Sequence, residues 1–278
     1  MSDYIKIDFE FLSIEQKEIT IALLSEMNYQ GFEEEGDLLK AYIPSAQYDE
    51  KKLISTLSPH NISFSVAKIE NRNWNQLWES SFQPVVINHA TSNSRWVAIR
   101  AAFHKPITDA QYEIIITPKM SFGTGHHATT LLMIKMMSEL DFKGKVVLDF
   151  GTGTGVLAIL AEKLGAARIL AIDNDPHSIE NSTENFVANN CEHIELQNGS
   201  AVQGTDEYDI ILSNITKTVI RKNLPDFGNK LSAHGNLLLS GLVGGDEKVI
   251  LETAAANRLV LNKKSQIGDW LGFQFIHE

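Results

Sequence analysis

Hydrophobic and polar positions alternate at the start of the chain, as expected for a strand with one buried face. Ile5, Ile7, Phe9 and Phe11 share one side of residues 4–11. A helix is predicted to begin near Ser13. Two short strands follow at residues 32–35 and 38–43, then a second helix at residues 45–57, capped by Ser45, and a last strand at residues 62–69. The β-α-β-β-α-β order predicts a ferredoxin-like α+β domain over residues 1–70.

A different pattern follows residue 70. Trp74 and Trp78 stand at helical spacing, which predicts a short amphipathic linker helix over residues 73–82. Three strand-like segments come next, at residues 85–88, 96–103 and 112–117.

After Gly144, apolar strands alternate with helices. The strands are predicted at residues 146–150, 168–172, 194–197, 208–213, 236–239, 259–261 and 273–276, and the helices at 156–164, 178–189, 219–231 and 247–257. This alternation predicts an α/β fold with a mostly parallel sheet covered on both faces. A short connection containing Gly268 predicts that the last two strands form an antiparallel hairpin.

Composition indicates a globular protein, since 43% of the 278 residues are hydrophobic and 21% are charged. Cys191 is the one cysteine, which excludes a disulfide within the chain and a cysteine-based zinc site. No apolar run approaches the ~18 residues of a transmembrane helix, and the first residues do not resemble a signal peptide. We therefore expect a cytoplasmic protein with no membrane partner.

Acidic residues are unevenly distributed. Residues 1–60 contain twelve Asp and Glu against five Lys, in a chain whose net charge is −11. This balance argues against direct binding of a nucleic-acid backbone. The acidic region is either a solvated surface or a face that attracts a basic partner.

The strongest chemical motif lies where a strand turns into a helix, in the sequence Val147-Leu148-Asp149-Phe150-Gly151-Thr152-Gly153-Thr154-Gly155. Glycines here let the backbone approach a ligand, and the helix N-terminus presents free N–H groups. Asp173 follows Gly153 by twenty residues, at the end of the next strand, where a carboxylate can accept both hydroxyls of an adenosine ribose. The motif predicts an adenosine-containing cofactor that contacts Gly151, Gly153 and Asp173.

The spacing of Gly153, Gly155 and Ala158 also matches a dinucleotide fingerprint, so NAD stays an alternative. Asp149 favours a cationic ligand instead, because a carboxylate would repel a pyrophosphate. S-adenosylmethionine carries both an ammonium and a sulfonium group, and we expect Asp149 to lie near it.

Two further segments carry polar groups suited to a site. Asn214 ends an apolar strand, and its side chain can accept a hydrogen bond from an amine. Residues 120–130 form a polar loop before a helix, and Thr130 could contact the cofactor. His126 and His127 lack acidic or cysteine neighbours at ligand spacing, so no metal site is expected.

With these residues, the sequence resembles the bacterial ribosomal protein L11 methyltransferase family of class I S-adenosylmethionine-dependent enzymes. The specific part is the Phe-Gly-Thr-Gly-x-His-x-Thr-Thr segment at residues 122–130, because the glycine loop alone fits any class I methyltransferase. Further matches lie at Trp74–Phe82, Val147–Asp175 and Ser213–Ile215.

The resemblance implies a ferredoxin-like substrate-recognition domain at residues 1–70, and a linker helix with a seven-stranded, Rossmann-like methyltransferase domain at residues 71–278. It also implies methylation of lysine side-chain and N-terminal amines of the basic L11 protein, free or on the ribosome. By motif match, Thr130, Gly151, Asp173 and Asn214 take the family's cofactor-contact positions, and Asn214 is the expected catalytic residue.

Ala128 and Thr216 depart from the family pattern, which has proline and leucine there. The alternatives are a methyltransferase acting on RNA or a small molecule, an NAD-dependent oxidoreductase, and a non-catalytic ribosome-binding factor.

Overall fold

The computed structural model describes residues 4–9, 14–25, 27–29, 32–35, 38–60, 62–69, 82–92, 94–119, 122–202, 204 and 206–278. The chain divides into two units, Met1–Ser80 and Ser81–Glu278. The domain boundary predicted after residue 70 and the linker helix with its two tryptophans fall mainly on residues 70–81, which lie outside the described residues, and so stay predictions.

The first unit has the element order predicted from sequence. It contains β1 (Tyr4–Phe9), α1 (Ile14–Ser25), β2 (Phe32–Glu35), β3 (Leu38–Pro44), α2 (Glu50–Leu57) and β4 (Phe64–Ile69). The strands pair in the order β2-β3-β1-β4, and every pair is antiparallel. Ile7, Phe9, Leu39 and Leu53 are fully buried at its core. The arrangement confirms the ferredoxin-like prediction.

The start of α2 differs from the prediction. Ser45 begins a separate 3₁₀ turn, Ser45–Gln47, and the α-helix is capped by Asp49, whose Oδ1 accepts a hydrogen bond from the Lys52 N–H at 3.1 Å. Asp49 takes this role because its carboxylate stands three residues before that free N–H. The predicted cap of α1, Ser13, lies outside the described residues.

The second unit opens with a three-stranded sheet of its own. It consists of β5 (Val85–Asn88), β6 (Arg95–Ala101) and β7 (Tyr112–Ile116). β5 and β6 run antiparallel, whereas β6 and β7 run parallel. β6 ends two residues earlier than predicted, because the chain turns where the His104 N–H donates to the Ala101 carbonyl at 3.1 Å.

A seven-stranded sheet forms the centre of the second unit. Its strands are β8 (Val146–Phe150), β9 (Arg168–Asp173), β10 (Ile194–Asn198), β11 (Tyr208–Asn214), β12 (Leu231–Val243), β13 (Leu259–Ile267) and β14 (Trp270–His277). The order is β10-β9-β8-β11-β12-β14-β13. The first five strands are parallel, and β14 is antiparallel to both of its neighbours. The predicted parallel sheet with a closing hairpin is confirmed.

Helices cover both faces of this sheet. One hydrophobic cluster includes residues of α3 (Ala128–Met137), α4 (Val156–Lys163) and α5 (Pro176–Ala188), and a second includes residues of α6 (Lys217–Lys230) and α7 (Glu247–Ala255). Strands buried on both sides expose their carboxyl ends at one edge, where ligands of open α/β sheets bind. Among the described residues, no helix is long and apolar enough to cross a membrane.

Candidate active site

A cavity of about 490 Å³ lies at the carboxyl ends of β8, β9 and β11. Its size falls within the usual range for small-molecule sites. Its walls come from eighteen residues, namely Phe122, His127, Thr129, Phe150, Gly151, Gly153, Ile172, Asp173, Asn174, Ser178, Gly199, Ser200, Asn214, Ile215, Thr216, Val219, Gly241 and Trp270. Four of the six residues predicted to form the site are therefore brought together here, and Thr130 and Asp149 are not on the walls.

The loop between β8 and α4 needs glycines because other segments of the chain pass close to it. Gly151 and Gly153 have φ angles of +79° and +56°, which residues with side chains rarely adopt. A Cβ on Gly151 would lie 2.3 Å from Ile215 Cγ2, and one on Gly153 would lie 2.3 Å from the Phe122 carbonyl oxygen. Their missing side chains thus let two neighbouring segments close around the cavity.

Asp173 ends β9 with its carboxylate held in one orientation. Oδ2 accepts the Gly153 N–H at 2.8 Å, and Oδ1 accepts the Asp175 N–H at 3.0 Å. A carboxylate has about four acceptor sites, so two backbone donors leave capacity on both oxygens. The side chain can therefore accept a pair of neighbouring hydroxyl groups from a ligand in the cavity.

Asp149 lies beneath the glycine loop and not on the cavity wall. It is 1% exposed, and its Oδ2 accepts a hydrogen bond from the Thr152 hydroxyl at 2.6 Å. Burial, together with the negative charge of Asp173, raises its pKa to about 7, although the Thr152 hydrogen bond opposes the rise. A contact between Asp149 and a cationic ligand, as expected from sequence, remains a prediction.

Asn214 supplies a buried acceptor without a partner. It ends β11, lines the cavity and is 9% exposed, and its Oδ1 has no hydrogen-bond partner among the described residues. A buried unpaired carbonyl is costly unless a ligand or water donates to it. The site therefore accommodates an N–H or O–H donor at this atom.

Thr130 has a similar unpaired oxygen in a different place. Its Oγ1 is buried in α3 without a hydrogen-bond partner among the described residues. The preceding residue, Thr129, lines the cavity instead. A contact between the cofactor and the Thr130 side chain remains a prediction.

Three aromatic residues form one wall of the cavity. The His127 ring packs edge-on against Phe122, with ring centroids 5.2 Å apart, and against Trp270, with centroids 4.6 Å apart. His127 also caps α3, since its Nδ1 accepts the Thr129 N–H at 3.3 Å. Sequence reasoning identified the loop containing Phe122 and His127 but missed Trp270, which comes from the start of β14 and carries no local motif.

The two adjacent histidines contact different aromatic groups. His126 packs against Phe82, with ring centroids 4.9 Å apart, whereas His127 belongs to the aromatic wall. Within the described part of the chain, no group of three His, Cys, Asp or Glu side chains could hold a metal ion.

Comparison with known proteins places this geometry in a family. The family model described as "Ribosomal protein L11 methyltransferase (PrmA)" matches residues 8–278. A ribosomal protein L11 methyltransferase of Phocaeicola vulgatus is 33% identical over 93% of both chains, and that of Chlorobaculum parvum is 38% identical over 88% of this chain and 86% of its own.

Solved structures point the same way. The crystal structure of ribosomal protein L11 methylase from Lactobacillus delbrueckii subsp. bulgaricus is 30% identical, with a TM-score of 0.63, and the match covers 69% of this chain and 98% of that one. The chain belongs to the ribosomal protein L11 methyltransferase family and is an enzyme of the methyltransferase class. This membership argues against the NAD-dependent oxidoreductase and the non-catalytic factor.

Proposed function

We propose that this enzyme transfers methyl groups from S-adenosylmethionine to the lysine side-chain and N-terminal amines of ribosomal protein L11. The observation that carries the proposal is the unpaired Oδ1 of Asn214, a buried acceptor in a cavity whose far strand ends in the oriented carboxylate of Asp173. One group suits an incoming amine, and the other suits the ribose of an adenosine cofactor.

The residues present fit S-adenosylmethionine. Asp173 would accept its ribose hydroxyls, Gly151 and Gly153 would pass close to it, and Phe150 and Ile172 offer apolar surface. The unpaired Thr130 Oγ1 would supply a further polar contact, and Asn214 Oδ1 is left for the substrate amine. Asp149 supports the glycine loop from below through Thr152. The cofactor supplies an electrophilic methyl group on a sulfonium centre.

The protein's task is to present an uncharged amine. A lysine amine has a pKa of about 10.4 and an α-amine about 7.7–8.0, so lysine must lose a proton before it can attack. Phe122, His127 and Trp270 make that side of the cavity apolar, and removal from water lowers an amine's pKa. Asn214 Oδ1 would then accept an amine N–H and so aim the nitrogen lone pair.

A strong general base is not needed in this scheme. Asp173 is the only carboxylate among the described residues that line the cavity, and it holds two backbone N–H groups. His127 Nδ1 already accepts the Thr129 N–H at the start of α3. The amine therefore loses its proton to water as it enters the cavity, where removal from water lowers its pKa.

The acidic first unit supports a basic protein as substrate. Its first sixty residues hold twelve of the chain's 35 acidic residues and few lysines. Surface charge of one sign raises the encounter rate with an oppositely charged partner. We propose that this unit recruits L11, either free or on the ribosome.

The proposal is tested by transfer of labelled methyl from S-adenosylmethionine to purified ribosomal proteins, resolved by mass. We expect label on L11 alone, at lysine and α-amino groups. Label on ribosomal RNA only would refute L11 as the substrate. Binding of NADH in place of S-adenosylmethionine would refute the proposed cofactor. Comparing free L11 with assembled subunits identifies the form that is modified.

Replacement of Asn214 separates catalysis from cofactor binding. Asn214→Ala should lower kcat on the order of 100-fold, because the amine loses its orienting acceptor. The Kd for S-adenosylhomocysteine should change by about twofold or less, since Asp173 and the glycine loop remain. Titration calorimetry and single-turnover methylation measure the two quantities.

The matched control is Asn223→Ala, since Asn223 is 5% exposed, donates to the Val219 carbonyl at 2.9 Å and does not line the cavity. It should leave kcat close to that of the unmodified enzyme. Equal losses of kcat and cofactor affinity in Asn214→Ala would refute the assigned role.

A further inference from the structure

Thr154 is the point where the glycine loop meets a second loop of the cavity. Its backbone N–H donates to the Phe122 carbonyl at 2.9 Å, and its hydroxyl donates to the Gly123 carbonyl at 2.7 Å. The residue is fully buried and does not line the cavity. Thr154 therefore lies behind the cavity lining and donates to two consecutive carbonyl groups of the other loop.

Residues 122–127, called here the aromatic loop, carry two members of the aromatic wall. Phe122 is 51% exposed, so burial alone does little to hold its position. A Cβ on Gly123 would lie 2.7 Å from the Thr154 hydroxyl oxygen, which means that the loop backbone rests directly on this side chain. The backbone of Phe122 and Gly123 is thus held by hydrogen bonds from Thr154.

Thr154 is itself held from the other side by α5. Asn185 Nδ2 donates to the Thr154 carbonyl at 2.8 Å and to Asn181 Oδ1 at 2.7 Å. Asn185 Oδ1 accepts the Thr117 N–H at 2.7 Å. Every hydrogen-bonding group of the fully buried Asn185 side chain is used, so the Thr154 backbone has one defined position.

We propose that Thr154 is a positioning residue whose hydroxyl sets the aromatic loop in register with the glycine loop. The register places Phe122 and His127 relative to Asn214, where the proposed function puts the substrate amine, and the inference rests on that proposed function for its substrate. The cofactor side of the cavity, at Asp173 and Gly151, has its own backbone hydrogen bonds and does not depend on the hydroxyl.

The test compares Thr154→Val with Thr154→Ser in the full-length enzyme. Valine keeps the shape but removes the donor, whereas serine restores the hydroxyl. We expect Thr154→Val to lower kcat/KM for L11 about 10- to 100-fold through misplacement of the amine. The Kd for S-adenosylhomocysteine should stay within about twofold, and serine should recover most of the activity.

The matched control is Thr253→Val. Thr253 also donates its hydroxyl to a carbonyl at 2.7 Å, that of Val249, but it lies in α7 away from the cavity. It should keep the activity of the unmodified enzyme. This control measures how much activity is lost by deleting a threonine hydrogen bond away from the cavity.

Hydrogen exchange gives a readout that does not require the substrate. Thr154→Val should speed exchange in peptides covering residues 122–127 and leave β8 protected, and Thr154→Ser should not. Unchanged exchange in the valine variant, an equal rise in cofactor Kd, or failure of serine to rescue would each overturn the inference. Inactivity of the unmodified enzyme on L11 would instead overturn the proposed function, while the exchange result would still test the loop register.

Discussion

Asp149 shows how one residue can support a cavity from beneath its lining. The carboxyl group is buried under the glycine loop, accepts the Thr152 hydroxyl and has a pKa raised to about 7 by burial. Its Oδ1 accepts no hydrogen bond of standard geometry from the described residues. The ionised form is therefore poorly solvated, and the folded protein holds a proton there that the unfolded chain releases.

This buried proton predicts a pH-dependent stability. Between pH ~4 and ~7 the folded state binds the proton and the unfolded state does not, so the free energy of unfolding falls as pH rises. Asp149→Asn cannot ionise. The free energy of unfolding of Asp149→Asn, minus that of the unmodified protein, should rise by on the order of 4 kcal/mol between pH 4 and pH 8.

Urea unfolding of both proteins at several pH values measures the difference directly. Other titrating groups are shared by the two proteins and cancel in the comparison. Parallel stability curves would mean that Asp149 has an ordinary pKa in the folded protein.

At the scale of elements, α5 is joined to the edge of the three-stranded sheet by asparagines. Asn181 and Asn185 stand four residues apart on one face of the helix, and Asn189, its C-cap residue, follows at the same spacing. Asn185 accepts the Thr117 N–H, and Asn189 both accepts from and donates to Ile115, at 3.0 and 2.6 Å. These side chains form hydrogen bonds with backbone groups at the open edge of β7, where no neighbouring strand of the described residues pairs with it.

Two substitutions in this row should differ in their effects. Asn185→Ala leaves the Thr117 N–H and the Thr154 carbonyl without partners and should lower the free energy of unfolding by about 2–4 kcal/mol. Asn189→Ala, at a half-buried position, should cost about 1–2 kcal/mol. Denaturant unfolding measures both.

Only Asn185→Ala should also weaken cofactor binding, because Asn185 alone of this pair touches the glycine loop. Titration with S-adenosylhomocysteine checks this point. A similar loss of affinity in Asn189→Ala would show that the row acts on the cavity through general stability.

At the scale of the whole molecule, chemistry and charge are divided between two units. All residues that line the described cavity belong to Ser81–Glu278, whereas the dense acidic sequence belongs to Met1–Ser80. The second unit has its own hydrophobic clusters on both faces of its sheet. We therefore expect the second unit to bind the cofactor by itself.

Removal of residues 1–80 should therefore abolish methylation of L11 and preserve binding of S-adenosylhomocysteine with about the same Kd. The physical reason is loss of the acidic surface proposed to attract the basic substrate. Methyl transfer and titration calorimetry on the truncated protein check the two halves of the prediction. Unchanged methylation would show that the first unit does not recruit the substrate.

Local patterns were sufficient for most elements and insufficient where strands are polar. The predicted fragments 259–261 and 273–276 belong to β13 and β14, which extend to Ile267 and begin at Trp270. The predicted strand stopped before Lys263 and Lys264, because a charged edge strand has the polar pattern of a loop. Their ammonium groups pair instead with Glu139 and Glu247.

The sequence by itself determined the fold class and the chemistry of the cavity. Strand and helix periods, the glycine loop and Asp173 can be read from local sequence, since glycine provides the positive φ angles of the strand-to-helix turn. The tertiary structure alone decided that Asp149 is buried, that Trp270 reaches the cavity, and that Thr154 joins two loops. These features depend on contacts between residues far apart in the chain, which no local pattern contains.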